Sequence, residues 1–435
     1  MIWPAAIVLI LILAIVFRLG LLVYAMYTLI GVLLVSRYLT HRWANSLAAT
    51  RECNRYTAEE GDEVAVIVTI ENRGNLPIPW VMVEDLLPRE ALLYSPPRLG
   101  VTGSRVQLTH LWPHSHKNLR YQLKCNRRGY YQLGPLVLET GDLFGLHRRF
   151  RVLTEPHFLL VMPRIVPLTG YAISSKRPIG EVRMTYRLYE DPTRISGVRA
   201  YQEGDSLNRI HWRATARTGT LHSKVYEPST VAGVTLLVDF HQESHPAKHE
   251  PRRSELAITA AASIAHAVSL MGQQIGLVTN GRDAVDRIRT EGWAGDWRTR
   301  AAAKVAASVR ETSDRLRPVI IDTRRGGDQL QQILEMLARL ELTDGLSLPQ
   351  LILESASRLP RDATIIAILP RVTHEIAISL GMLRRRGLAV VALINVFEIA
   401  DYADAAGPLI AEGIETRHLP DESAVAEICA QYWLR

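Results

Sequence analysis

The stretch GVRAYQEGDSLNRIHWRATARTGTLHSKVYE, Gly197 to Glu227, gathers side chains that can move protons or grip anions. Asp205 and His211 could serve as a general acid and base with a nearby arginine. Arg209, Arg213 and Arg217 could hold an acidic or phosphorylated group through their bidentate guanidinium forks. Gly204 and Asp205 read as a turn and an N-cap, which predicts a helix starting at Ser206. On it Leu207, Ile210 and Ala214 face a core, while Arg209, Arg213 and Arg217 fall at i, i+4 and i+8 and form a cationic row on another face. Asp205 and His211 then stand nearly two turns apart, so they do not meet side chain to side chain, which weakens the acid/base use. Gly219 ends the helix and LHSKVYE extends as a strand. Two uses stay open for the cationic row. Either it pairs with Glu203, Asp205 and Glu227 and locks neighbouring folded regions together, or it receives an acidic partner. Trp212 fits both, as an interface anchor or as a covered core aromatic.

Other groupings offer less. His110, His114 and His116 in THLWPHSHK cross a proline and have no carboxylate or cysteine beside them, so they read as exposed strand and loop residues. In VDFHQESHPAKHE, Asp239 closes an apolar strand and His241, Glu243, His245 and His249 follow in a loop. A histidine-rich loop of this kind offers little preorganisation for a metal. GxxxxGK[ST], GxGxxG after a strand, HExxH and GxSxG are all missing from the sequence, which removes the common ways of holding a nucleotide, zinc or a serine nucleophile. Neither a cofactor nor a metal is expected.

The elements that must position these residues begin with an apolar N-terminus. Ile2 to Phe17 is wholly apolar, Arg18 interrupts, and Leu19 to Ser36 is apolar again apart from tyrosines, Thr28 and glycines. One straight helix through both runs would measure ~52 Å against a hydrocarbon layer of ~30 Å, so two spans turning at Arg18 to Gly20 fit better, with one span from Leu19 to Ser36 behind an interfacial or signal-like segment as the alternative. Arg37, His41, Arg42 and Arg51 follow, and the positive-inside rule places that flank in the cytoplasm. A cytosolic location for the rest agrees with three scattered cysteines, Cys53, Cys125 and Cys429, which suggest neither disulfides nor a zinc cluster. The net charge of +7 favours acidic partners or phospholipid headgroups. Nucleic acid is not expected, because aromatics are only 7% of the chain and no binding motif interleaves them with basic residues.

From residue 55 to 165 the chain alternates with the period of half-buried strands. DEVAVIVTIEN, IPWVMVEDLL, KNLRYQLKC, YYQLGPLVLE and HFLLVMP carry the pattern, with turns at NRGNLP, PPRLGVTG and NRRG. This predicts an antiparallel sandwich of immunoglobulin size. From Val234 the pattern changes to apolar strands (TLLVDF, IGLVTNG, ATIIAILP, LAVVALINV) alternating with helices, which predicts a doubly wound parallel sheet with ligands at its carboxyl edge.

Gly197, Arg199, Tyr201, Gly204, Asp205, Arg209, Ile210, His211, Trp212, Thr215, Ala216, Arg217, Leu221 and Glu227 together resemble the signature of the domain of unknown function 58 family. RRGYYQLGPL at Arg127 to Leu136 and GDLFGL at Gly141 to Leu146 are similar to a second stretch of that family. The resemblance implies a bacterial or archaeal membrane-anchored protein. Its C-terminal region would be similar to a von Willebrand factor A domain, and it would work beside a MoxR-type AAA+ ATPase as an adaptor or chaperone-like component. A metal-binding A domain wants D-x-S-x-S after its first strand. Here Asp239 is followed by His241 and Glu243 at the serine positions, Thr279, Asn280 and Gly281 end the second strand, and ILPR at Ile368 to Arg371 ends a later one. An imidazole there suits an octahedral Mg²⁺ shell poorly, so metal-dependent capture is not expected.

The expected architecture is therefore a transmembrane hairpin (1–40), an all-β immunoglobulin-like sandwich (41–170), a signature segment (171–230) and a doubly wound, von Willebrand factor A-like α/β domain (231–435). The expected role is a non-enzymatic adaptor or scaffold at the inner (cytoplasmic) membrane, its soluble domains facing the cytoplasm. Its partners would be the lipid bilayer, a MoxR-type AAA+ ATPase and a client protein. The signature residues Arg199, Tyr201, Gly204, Asp205, Arg209, His211, Trp212, Arg213 and Arg217 would bind protein or brace the fold. The alternative is a hydrolase-like enzyme using Asp205, His211 and the signature arginines.

Overall fold

A computed structural model describes residues 2–93, 96–166, 190–202, 210–228, 233–291, 316–360 and 363–433. The chain divides into two compact units, Met1–Met162 with Val285–Thr312, and Pro163–Ala284 with Ser313–Arg435.

The first unit opens with helix α1 (Ile2–Val16) and helix α2 (Gly20–Ser46), which pack on each other across a turn where Arg18 takes a φ of +54°. α2 is long and apolar enough to cross a membrane. The 15 residues of α1 rise ~22 Å, short of a ~30 Å hydrocarbon layer. The buried residues of α2 are Ser36, Thr40, Trp43 and Ala44, a stripe at i, i+4, i+7 and i+8, so only its last three turns lie against the strands that follow.

Those strands are β1 (Leu47–Cys53), β2 (Thr57–Glu59), β3 (Glu63–Asn72), β4 (Ile78–Asp85), β5 (Leu99–Gly103), β6 (Val106–Leu111), β7 (His116–Cys125), β8 (Gly129–Leu133), β9 (Leu136–Gly141), β10 (Arg148–Thr154) and β11 (His157–Met162). They form two antiparallel four-stranded sheets, β1-β3-β7-β5 and β10-β9-β4-β6, with a small third sheet β2-β11-β8. Alternate residues of β3 (Val64, Val66, Val68, Ile70) and of β7 (Leu119, Tyr121, Leu123) meet Val81, Val83, Leu136 and Leu138 of the other sheet in one apolar core. The all-β sandwich is thus as the alternation implied. Two details differ. PPRLGVTG is not simply a turn, because Leu99–Gly103 pairs with β7, and YYQLGPLVLE is two strands, broken at Gly134-Pro135.

The core also holds charge. Arg51 of β1 and Asp85 of β4 form an ion pair between the two sheets, with both side chains fully buried. Tyr121 of β7 donates its hydroxyl to Asp85 Oδ2 at 2.7 Å, and Arg51 donates to the carbonyls of Leu133 and Glu155, each at 3.1 Å. Burial and the Asp85 carboxylate push the Tyr121 phenol far up, which keeps it a donor. Gly134 has a φ of +87°, and a Cβ there would fall on the Arg51 guanidinium, so this glycine is fixed by both conformation and space. Arg51 therefore does not belong to the basic flank of the apolar helices, as its position in the sequence suggested. Cys53 and Cys125 are free thiols, and burial pushes that of Cys125 up to about 11.

In the second unit β12 (Glu190–Ala200) and β13 (His222–Pro228) make a hairpin-like antiparallel pair. A six-stranded sheet follows, built from β14 (Gly233–Val238), β15 (Gln274–Thr279), β17 (Val319–Arg324), β19 (Ala363–Leu369), β20 (Ala389–Ile394) and β21 (Glu415–His418) in the order β17-β15-β14-β19-β20-β21. The short β16 (Arg282–Asp283) and β18 (Leu340–Glu341) pair separately. β14 is buried at every position, as a strand covered on both faces must be. The sheet is not wholly parallel, in contrast to the expectation. β17 runs antiparallel to β15, Val319 facing Thr279, so it starts at the end of the sheet where β15 finishes.

Removing one partner of the buried Arg51–Asp85 pair leaves an uncompensated charge. Asp85→Leu should cost about 3–5 kcal/mol of unfolding free energy, with Arg51→Met similar, while the double variant recovers a large part of either loss. Denaturant titration of the full chain in detergent micelles checks this.

Candidate functional site

The signature is built around β13. On one edge β12 supplies the register Val198↔Lys224, Arg199↔Ser223 and Ala200↔His222, and the Tyr201 N–H donates to the Leu221 carbonyl at 2.9 Å. On the other edge the buried Ile210 bridges to Ser223, and the His211 N–H donates to the His222 carbonyl at 2.8 Å. Ile210 and His211 are therefore extended, and the helix runs only from Trp212 to Thr218. The expectation of a helix from Ser206 fails here, because pairing with β13 uses the backbone groups that a helix through 210 would need. The N-cap is His211, whose Nδ1 accepts from the Ala214 N–H at 3.0 Å, and not Asp205. Gly219 closes the helix at φ +73°, its N–H bonded to the Thr215 carbonyl, as the sequence implied. The Thr215 hydroxyl accepts from the His222 N–H at 3.1 Å and ties the helix back to β13.

Gly204, Asp205 and Arg209 lie outside the described residues, as do Glu203 and the side chain of Glu227. Of the three arginines expected in one row, the helix Trp212–Thr218 carries Arg213 and Arg217 at i, i+4. Ile210, His211, Thr215 and Gly219 are absorbed in holding the segment together. Trp212, Arg213 and Arg217 are not: Trp212 is 68% exposed, both arginines are exposed, and neither arginine has an ion-pair partner among the described residues. Arg199 is exposed on β12, in register with Ser223 of β13, and Tyr201 is half-buried.

A second grouping sits at the carboxyl edge of the six-stranded sheet. Asp239, Asn280 and Asn395 are fully buried there, after β14, β15 and β20. Asn280 donates Nδ2–H to Asp239 Oδ1 at 2.9 Å and accepts from the Phe240 N–H at 2.6 Å, and Asp239 Oδ1 also accepts from the His241 N–H at 3.1 Å. His245 reaches the Asp239 carbonyl through Nε2 at 3.0 Å and Glu250 through Nδ1 at 2.9 Å. Burial pushes the Glu250 carboxyl up, but hydrogen bonds from His245 and Ser254 outweigh it and hold the carboxyl below its ordinary value. Asn395 donates to the Arg253 carbonyl at 2.8 Å, and the Arg253 guanidinium lies over Phe397 and donates to the Pro370 carbonyl.

A D-x-S-x-S metal site does not fit these residues. His241 stands where a serine hydroxyl would coordinate, and its Nδ1 is engaged by the Glu243 N–H. Asp239 Oδ1 is spent on an amide and a backbone donor while its buried Oδ2 has no hydrogen-bond partner, but among the described residues no group of three histidine, cysteine or acidic side chains is arranged to hold an ion. The loop histidines act as ties within the chain. His110, His114 and His116 are exposed, with His114 Nε2 3.0 Å from Asn75 Oδ1.

One grouping was not legible in the sequence. Ser36 of α2 donates its hydroxyl to Asp142 Oδ2 at 2.9 Å, and His147 Nδ1 lies 2.9 Å from the Ser36 Oγ. Asp142 Oδ1 accepts from the His147 backbone N–H at 3.0 Å. A nucleophilic triad needs the acid to orient the histidine ring and the histidine to receive the serine proton. Here the carboxylate takes that proton itself and Ser36 is buried, so the three form a latch between helix and strand loop. GDLFGL supplied the only sequence signal, and nothing tied it to a residue 106 positions away.

The chain thus combines an apolar helical start, an all-β sandwich and an α/β sheet preceded by a hairpin that displays basic and aromatic side chains. Residues 197–334 match the family model described as Protein of unknown function DUF58, a range that begins on β12 and ends in the helix Gly327–Arg339. The uncharacterized protein YeaD of Bacillus subtilis (strain 168) is 25% identical over 239 residues, 55% of this chain and 57% of that protein. The chain thus matches little more than half the length of that relative. Among solved structures, the CARDB domain of a Pyrococcus furiosus protein in complex with di-metal ions matches 26% of this chain and 91% of its own at 15% identity and a TM-score of 0.17. A cohesin module from a Clostridium perfringens family 33 glycoside hydrolase matches 27% and 96% at 16% identity and a TM-score of 0.20. Likeness at those scores carries no argument about topology or activity here.

The division of the signature predicts a division of effects. Thr215→Val, which strips the acceptor from the His222 N–H, should lower stability by about 1 kcal/mol. Trp212→Ala and Arg217→Glu should stay within about 0.5 kcal/mol of the parent, since they touch only surface. Thermal unfolding of the three variants side by side checks it.

Proposed function

We propose that this chain is a non-enzymatic, membrane-anchored adaptor or scaffold that works with a MoxR-type AAA+ ATPase through protein contacts. The observation that carries it is the exposed Trp212 beside Arg213 and Arg217, held on a helix whose remaining signature residues are spent on fixing it in place. An aromatic anchor flanked by guanidinium groups suits an acidic protein surface or client tail. α2 supplies the anchor, and the basic Arg37 and Arg42 beyond its apolar run favour an inner (cytoplasmic) membrane location with the folded units in the cytoplasm. The α/β sheet is read as von Willebrand factor A-like. Numbered within the sheet its strands run 3-2-1-4-5-6, a doubly wound order, with an antiparallel edge and no serine-based metal shell, so capture by loop surfaces is favoured over metal-dependent capture. Acid/base hydrolysis is the weaker reading, since His211 Nδ1 is committed to the Ala214 N–H.

The test is an affinity purification of the full chain from solubilised native membranes. Arg213→Glu and Arg217→Glu, folded as stably as the parent, should lose a co-purifying AAA+ ATPase that the parent retains. Equal recovery by all three would place the ATPase contact elsewhere, and absence of any ATPase from the parent would count against the proposal.

A further inference from the structure

The latch on α2 places an apolar loop at a particular depth. β9 and β10 are joined by Asp142–His147, whose tip exposes Leu143 and Phe144 at 74% each and Leu146 at 51%. Three large apolar side chains on one six-residue turn are costly in water, and within its own unit the tip is left uncovered. The base of the loop, by contrast, is held firmly. Asp142 and His147 bond Ser36, the Trp80 indole N–H donates to the Asp142 carbonyl at 3.2 Å, and Arg151 of β10 donates to the Ala44 carbonyl at the end of α2 at 2.9 Å.

Ser36 is also where α2 parts from the sandwich. From Ser36 onward the helix buries a stripe, while upstream from Gly20 to Val35 it buries no residue and is the apolar span itself. The base of the loop is therefore fixed where the buried stripe of α2 ends and its apolar run begins. Exposed basic residues ring that level, with Arg37 and Arg42 on the helix and Arg148 and Arg149 on β10, while Tyr38 stands exposed beneath the guanidinium of Arg42. Apolar tips next to arginine and tyrosine are the composition of a membrane interface, where anionic headgroups meet acyl chains.

We infer that Leu143, Phe144 and Leu146 form a second membrane contact, a wedge that dips into the bilayer interface beside α2 and, through the latch, sets the tilt of the sandwich over the membrane. The inference rests on α2 being a membrane span. A span alone can tilt in the bilayer and carry the latched sandwich with it, whereas two points of contact fix one face of the sandwich toward the lipid.

The test separates the wedge from the span. Full-length protein carrying p-benzoylphenylalanine at a single position is reconstituted into vesicles of phosphatidylethanolamine and phosphatidylglycerol, irradiated and scored for lipid adducts. Position 29 lies in α2, position 144 at the loop tip, and position 93 is the exposed end of the short helix Arg89–Leu93, beyond the opposite end of β4. Adducts at 29 and 144 with none above background at 93 are expected. Adducts at 29 alone overturn the wedge while leaving the span intact. Loss at 29 removes the span and the wedge with it, and equal labelling at 93 means general surface adsorption and overturns the wedge as well.

Discussion

A guanidinium and a carboxylate buried between two sheets constrain the first unit more than any apolar contact does. Arg51 and Asp85 have no water to fall back on, so each requires the other, and the strands that carry them must keep their facing and register. Tyr121 and the carbonyls of Leu133 and Glu155 complete the shell around them. Gly134 clears the space, which explains why a glycine interrupts the strands β8 and β9. The hairpin that continues from β9 into β10 starts from this node and ends on α2. The pair in the core, the latch at Ser36 and the arginine cap at Ala44 thus form one chain of polar ties from the middle of the sandwich to the apolar helix.

In the second unit the same logic separates structure from display. β13 is paired on both edges, and three signature residues are spent on holding the segment together: His211 as a helix cap, Thr215 as an acceptor for the His222 N–H, Gly219 as a helix stop. What is left over is an exposed tryptophan and two exposed arginines with no ion-pair partner among the described residues, the side chains on which the proposed partner contact rests. At the sheet's carboxyl edge the balance is reversed. Asp239, Asn280, His245 and Glu250 bind one another and their loops, which makes that edge a brace and leaves no serine-type oxygen shell.

Much of this was legible in the sequence. The two-residue period of DEVAVIVTIEN gave β3 and its buried face, the unbroken apolar run of TLLVDF gave β14, and the break at Arg18 gave the turn between α1 and α2. These are local patterns, set by which face of an element meets the core. The errors were all non-local. The spacing of the arginines from Ser206 is helical, but a strand partner eleven to thirteen residues ahead takes Ile210 and His211 out of the helix. Arg51 looked like one more charge flanking an apolar segment until β4 brought Asp85 to it. Ser36, 106 residues from Asp142, carried no signal at all, since a serine in an apolar helix reads the same whether or not something meets it.

The central claim is that the leftover signature side chains meet a protein partner. Placing p-benzoylphenylalanine at position 212 of the full chain and irradiating native membranes tests it most directly. The account predicts an adduct with an AAA+ ATPase that disappears when Arg217→Glu is added. Adducts confined to the chain's own residues, or an ATPase adduct indifferent to Arg217→Glu, would contradict it.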